Sequence, residues 1–133
     1  MATNWFRNRA LSLAIGLFML SSVISGCEER GPRPPHAFLA SAAAREAGAR
    51  IFAEHCAICH GTHGGGDGRE RSFMTPPPAN LTVPPWSRRN HAGLTFAAIR
   101  GGIRGTAMSP WPTLSDRRIW ELVACIEALG QGR

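Results

Sequence analysis

Apolar residues crowd one short stretch near the start of the chain, from Leu11 to Ile24, between Arg7 and Arg9 on one side and Ser25-Gly26 on the other. A basic start, an apolar middle and a small-residue end are the three parts of a secretory leader, which predicts residues 1–26 as a removable segment. The apolar run covers 14 residues. Spanning a bilayer takes about 20, so a retained transmembrane helix is the weaker reading. From Glu28 to Ala37 the apolar periodicity disappears and Pro32, Pro34 and Pro35 follow one another closely. This composition predicts a semi-rigid tether, assigned to residues 27–40, that could span roughly 30 Å. His36 within it is expected to be solvated and without function.

Helical periodicity then takes over. Ala44, Ala47, Gly48, Ile51 and Phe52 form an apolar stripe, and Ser41 is placed to cap a helix running to Ile58. Five glycines between Gly61 and Gly68 interrupt regular structure, and Pro76-Pro77-Pro78 and Pro84-Pro85 extend the irregular stretch to about Trp86. Thr95 is the expected cap of a short helix through Arg100, stopped by Gly101-Gly102. Ser115 caps a final helix, Asp116 suits its dipole, and Ile119, Leu122, Val123, Ile126 and Leu129 give it a buried face ending before Gly130. Strand-like alternation and internal repeats are absent from the sequence, so residues 41–133 read as one all-α domain with a long proline- and glycine-rich loop. Three modest helices bury too little surface to hold so much irregular chain. A large apolar cofactor in the middle would supply the missing core.

The chemistry sits at the end of the first long helix, in Cys56-Ala57-Ile58-Cys59-His60. This is the C-x-x-C-H spacing of haem c attachment: two thiols three positions apart reach two vinyl groups of one porphyrin edge, and the next imidazole meets the iron. Zinc could instead use the two thiols with two of His55, His60, His63 and His91, but the second pair lacks finger-like spacing. A thioredoxin-like dithiol wants a βαβ setting that the sequence does not offer. A Cys56–Cys59 disulfide fits only as a transient before haem is attached.

A six-coordinate iron needs a second axial ligand. Met108 lies in Gly105-Thr106-Ala107-Met108-Ser109-Pro110-Trp111, a stretch unsuited to regular helix, directly before the last helix. Met74 is the rival thioether, and His63 and His91 are rival nitrogens. A thioether raises the potential relative to a second nitrogen, because it favours ferrous iron.

The chain carries 15 basic residues, all arginine, against nine acidic ones, for a formal charge of +6; loss of Arg7 and Arg9 with the leader lowers it to +4. The arginines are scattered and there is no tyrosine, so nothing suggests a nucleic-acid stripe, though the excess could favour acidic partners. Four cysteines in an exported chain would first suggest two disulfides, but their positions argue against it. Cys27 sits at the processing site, and Cys125 is left as an unpaired thiol on the apolar face of the last helix.

Two resemblances sharpen these expectations. Ile24-Ser25-Gly26-Cys27 resembles the lipobox of bacterial lipoproteins, which implies lipidation of Cys27 and a place at the periplasmic face of a bacterial membrane. The segment from Ala47 to Leu129 resembles bacterial class I mono-haem cytochromes c. Gly48, Phe52 and Cys56 lead by fours into the attachment motif and Gly61; Pro77 to Thr82 looks like the family's loop after that motif. Gly105-Thr106-Ala107-Met108 looks like the axial-methionine loop, and Leu114 to Ile126 like the closing helix. The resemblance implies a small helical domain wrapped around one covalent haem c, with His60 and Met108 as iron ligands. It further implies that the first and last helices cross closely at Gly48. A backbone carbonyl of the proline loop, expected at Pro76 or Pro77, would accept a hydrogen bond from the free nitrogen of His60. Trp111 is expected near the haem edge.

Two departures from the family stand out. Cys125 replaces an aromatic residue at the helix crossing, leaving slack for Trp120 or Phe52 to fill, and Ser109 separates Met108 from Pro110. The expected role is one-electron transfer between redox proteins, without a small-molecule substrate or nucleic acid. Asp67 and Glu70 are expected to be solvated, and no catalytic triad or carboxylate pair accompanies the motif. The alternatives are a fixed subunit wired into an oxidase or dehydrogenase complex, and a gas sensor or peroxidase-like enzyme in which Met108 leaves the iron.

Overall fold

Ser41 starts the first long helix as the sequence predicts: its side chain accepts the Ala44 amide at 3.2 Å and its hydroxyl donates to the Phe38 carbonyl at 2.8 Å. The computed structural model describes residues 34, 36–86 and 91–132, all within the compact unit Arg33–Arg133. The expected leader and Cys27 lie outside the described residues. In chain order the helices are α1 (His36–Ala40), α2 (Ala42–His55), α3 (Ala57–His60), α4 (Ala92–Gly101) and α5 (Asp116–Leu129), with a 3-10 turn at Arg71–Phe73. Among the described residues there is no strand, and no helix is long and apolar enough to cross a membrane.

α2 and α5 form the frame, crossing at Gly48. A β-carbon on Gly48 would collide with the backbone carbonyl of Glu121 and come within 2.9 Å of the Cys125 β-carbon. The crossing therefore closes on the small Cys125 itself and leaves no slack there. Trp120 does not fill in behind it: its ring stacks on Phe96 of α4, with centroids 4.4 Å apart. Contact with α2, α4 and α1 buries α5 well beyond the expected face, Ala124, Cys125 and Ala128 included. Ile119, Leu122 and Val123 are its most completely enclosed side chains. Each such burial contributes about 1.5–3 kcal/mol.

Two boundaries differ from the sequence reading. The last residues assigned to the tether are helical in α1, and Leu39 is buried against the domain, because one apolar side chain suffices to dock a short turn on α2 and α5. Thr95 is not a cap. α4 begins at Ala92 behind His91, and Thr95 sits a turn inside it, buried, its hydroxyl donating to the His91 carbonyl at 3.3 Å.

Candidate haem-binding site

The helix expected to run unbroken to Ile58 breaks at Cys56, whose backbone still donates to the Phe52 carbonyl at 2.8 Å while α3 starts afresh at Ala57. The break turns Cys56, Cys59 and His60 toward a single cavity of about 480 Å³. The glycine loop secures this turn from outside. The amides of Gly66, Gly68 and Glu70 donate to the carbonyls of His60, Cys59 and Ile58 at 2.8, 3.1 and 3.1 Å. Backbone approaches this close exclude side chains: a β-carbon on Gly68 would strike the Ile58 and Cys59 carbonyls. Gly66, at φ +77°, would bring one within 2.6 Å of the Pro78 carbonyl oxygen.

That contact sets the orientation of His60. The Leu81 amide donates to the Gly64 carbonyl at 2.7 Å, pinning the proline loop to the glycine loop, and the Ala79 carbonyl accepts from His60 Nδ1 at 3.0 Å. The acceptor is thus Ala79 and not Pro76 or Pro77. The loop is anchored at the last of the three prolines, Pro78, and at Leu81, so a carbonyl between those anchors is the one presented to the ring. A carbonyl can only accept, so the Nδ1–H tautomer leaves Nε2 with its lone pair available to a metal.

Met108 lines the same cavity, in the loop between α4 and α5. Its amide donates to Thr106 Oγ1 at 3.1 Å, and its carbonyl accepts the Ile103 amide at 3.0 Å. The loop is closed at its base by Trp111, whose amide donates to the Ile99 carbonyl at 3.2 Å. Arg100 completes the closure, donating to the Leu114 carbonyl at 2.7 Å and pairing with Asp116, with its guanidinium 5.8 Å from the Phe96 ring centre. Trp111 lines the cavity and packs against His55 with ring centres 5.2 Å apart.

Met74 also lines the cavity, at the end of the 3-10 turn. His63 does not line it, and His91 lines a separate, more open hollow of about 630 Å³ with Leu94 and Arg104. Asp67 is exposed, its carboxylate lying over the Gly61 backbone, and Glu70 is half-exposed with Arg69 at 3.7 Å.

The arrangement separates the competing chemistries. Among the described residues no three His, Cys, Asp or Glu side chains gather where a metal ion could be held. Burial pushes the Cys56 thiol up to about 12, with Cys125 and Cys59 adding to the shift. Cys59 is raised by burial and by Glu70. Redox-active dithiols need the opposite, a lowered pKa. A cofactor with its own bulk fits better: 480 Å³ falls in the roughly 300–1,000 Å³ range of cofactor sites. Walls such as Phe52, Ile99, Leu114, Leu122 and Ile126 are apolar, and two thiols and one oriented imidazole stand at one side of them. These residues fit haem c.

Comparison with known proteins agrees. The family described as "Cytochrome C oxidase, cbb3-type, subunit III" matches residues 43–126. A chain of the Kuenenia stuttgartiensis reducing HAO-like protein complex Kustc0457/Kustc0458 is similar in structure, with a TM-score of 0.57 and 27% identity over 63% of this chain. The similarity spans 41% of that chain. No curated protein matches significantly.

Proposed function

The chain belongs to the cytochrome c family of cbb3-type oxidase subunit III, a mono-haem electron-transfer protein with covalent haem c, and from that premise we propose its ligands, its place and its manner of working. Cys56 and Cys59 would hold the haem by two thioethers, and His60 Nε2 and the Met108 thioether would ligate its iron. The observation that carries this reading is the one cavity that all four side chains line, together with the Nδ1 bond from His60 to Ala79.

When bound, haem c supplies a one-electron ferric–ferrous couple. The rest is the work of the chain. Ala79 fixes the orientation and tautomer of the His60 ring. Thr106 and Ile103 fix the backbone on either side of Met108. Apolar walls keep water from the site and so favour the less charged oxidation state. With His60 and Met108 both committed to the iron, the chain would offer no coordination site to a substrate and would work as a carrier and not as an enzyme. Cys27, lipidated and followed by the tether, holds the domain at the periplasmic face of a membrane, where it exchanges electrons with redox proteins.

A second reading, a subunit fixed within one oxidoreductase complex, is favoured by the family's description as an oxidase subunit and by the similarity to a chain of a protein complex. The test of the carrier reading is a redox titration of the haem-loaded protein with a carbon monoxide challenge of its reduced form. A one-electron transition with no carbon monoxide adduct is expected. Ready formation of the adduct moves the sensor or enzyme reading ahead.

A further inference from the structure

Thr106 stands two residues before Met108, and its hydroxyl works in both directions: Oγ1 donates to the Ile103 carbonyl at 2.8 Å and accepts the Met108 amide at 3.1 Å. The Ile103 amide then returns a bond to the Met108 carbonyl at 3.0 Å. Behind them Gly102, at φ +68°, presses the outgoing leg of the loop on the returning leg; a β-carbon there would lie 2.7 Å from the Met108 carbonyl oxygen and 2.9 Å from Pro110 Cδ. Both backbone polar groups of Met108 are thereby satisfied inside a loop with no regular structure. Two of these three bonds are made by one side chain, that of Thr106.

We infer that Thr106 is a positioning residue for Met108, its hydroxyl locking the loop backbone so that the thioether is presented to the cavity in a single arrangement. This rests on the assignment of Met108 as an axial ligand. A loop with a free backbone would let the thioether leave the iron whenever a turn relaxed. With Met108's amide and carbonyl both bonded, departure requires side-chain rotation alone or rupture of the whole turn. Thr106 is half-buried and itself lines the cavity, so a merely space-filling role is the competing account. Valine keeps the shape and removes the hydroxyl; serine keeps the hydroxyl and removes the methyl.

The test compares Thr106→Val and Thr106→Ser in the haem-loaded full chain, with Thr106→Ala as a second hydroxyl-free variant should Val disturb folding. Three quantities are read: exchange of the Met108 amide, persistence of the ferric sulfur-to-iron charge-transfer band as pH and temperature rise, and the rate of carbon monoxide binding to reduced protein. Losing the hydroxyl should speed amide exchange and carbon monoxide binding about ten-fold and weaken the band earlier, while Ser behaves as wild type. Val and Ala variants indistinguishable from wild type, or a Ser variant as impaired as Val, overturn the inference. A wild type without the band is a different failure: it overturns the axial assignment and the role of Thr106 with it.

Discussion

The backbone of Gly48 lies against the carbonyl of Glu121, so the first and last long helices meet with no side chain between them at that point. Two parts of the cavity lining follow directly from this crossing. Cys56 follows α2 directly, and Leu122 and Ile126 of α5 form part of the wall.

Gly48→Ala should therefore destabilise the folded domain even though alanine favours helix by about 1 kcal/mol. Its β-carbon meets backbone, which cannot step aside, and overpacking of this kind costs about 1–3 kcal/mol. Gly93→Ala in α4 is the control, since a β-carbon there meets nothing within 4 Å. Denaturant midpoints of the haem-loaded proteins should fall for the first and hold or rise slightly for the second.

Met108→Ala should lower the reduction potential, abolish the charge-transfer band between sulfur and ferric iron, and let the reduced protein bind carbon monoxide. Met74→Ala should do none of these, although Met74 lines the same cavity. Spectra and potentials of the two variants decide between the thioethers. A reversed result would make Met74 the ligand.

Acid–acetone treatment should leave the colour with the protein, because two thioethers survive an extraction that removes a haem held by ligation alone. Replacing both Cys56 and Cys59 with alanine should release it completely. A single replacement should keep the haem through one remaining bond, and free extraction from the wild type would end the attachment assignment.

Cys125 should make stability fall at high pH. Burial raises its thiol from 9.0 to about 11 in the folded protein, so the unfolded chain gives up this proton first. The stabilising contribution is complete below about pH 9 and is lost as pH rises toward 11. Urea midpoints of wild type and Cys125→Ala, compared at pH 8 and pH 10.5, should converge at the higher pH. Cys56 and Cys59 add nothing to this slope once they are thioethers.

Cys27→Ser should move the protein from the membrane to the soluble fraction, since acyl chains contribute about 0.8 kcal/mol per buried CH₂. Fractionation of cells expressing both forms checks it. Unchanged membrane association would point to an uncleaved leader helix.

Local chemistry made much of the fold legible in the sequence. Ser41 and Ser115 cap the helices they were expected to cap, and the stripe ending in Phe52 faces the core. What stayed hidden depends on contacts distant in sequence. Thr95 has the right residue type for a cap, but burial against the cavity, not capping, fixes its place. The acceptor for His60 follows from where the glycine loop clamps the proline loop, and neither segment encodes that register alone. Leu39 looked like part of a tether because a single buried side chain leaves no periodic trace.

The ties around Met108 also limit how this part of the chain can change in length. Ile99 is joined to Trp111, Arg100 to Leu114 and Asp116, and Ile103 to Met108, like rungs fixed between two counted rails. One residue inserted between Ile103 and Met108 would shift every inner rung out of register while the outer ones stayed put. Chimeras between relatives should therefore tolerate crossover points outside Ile99 to Asp116, and fail to hold their sixth ligand when the junction falls inside it.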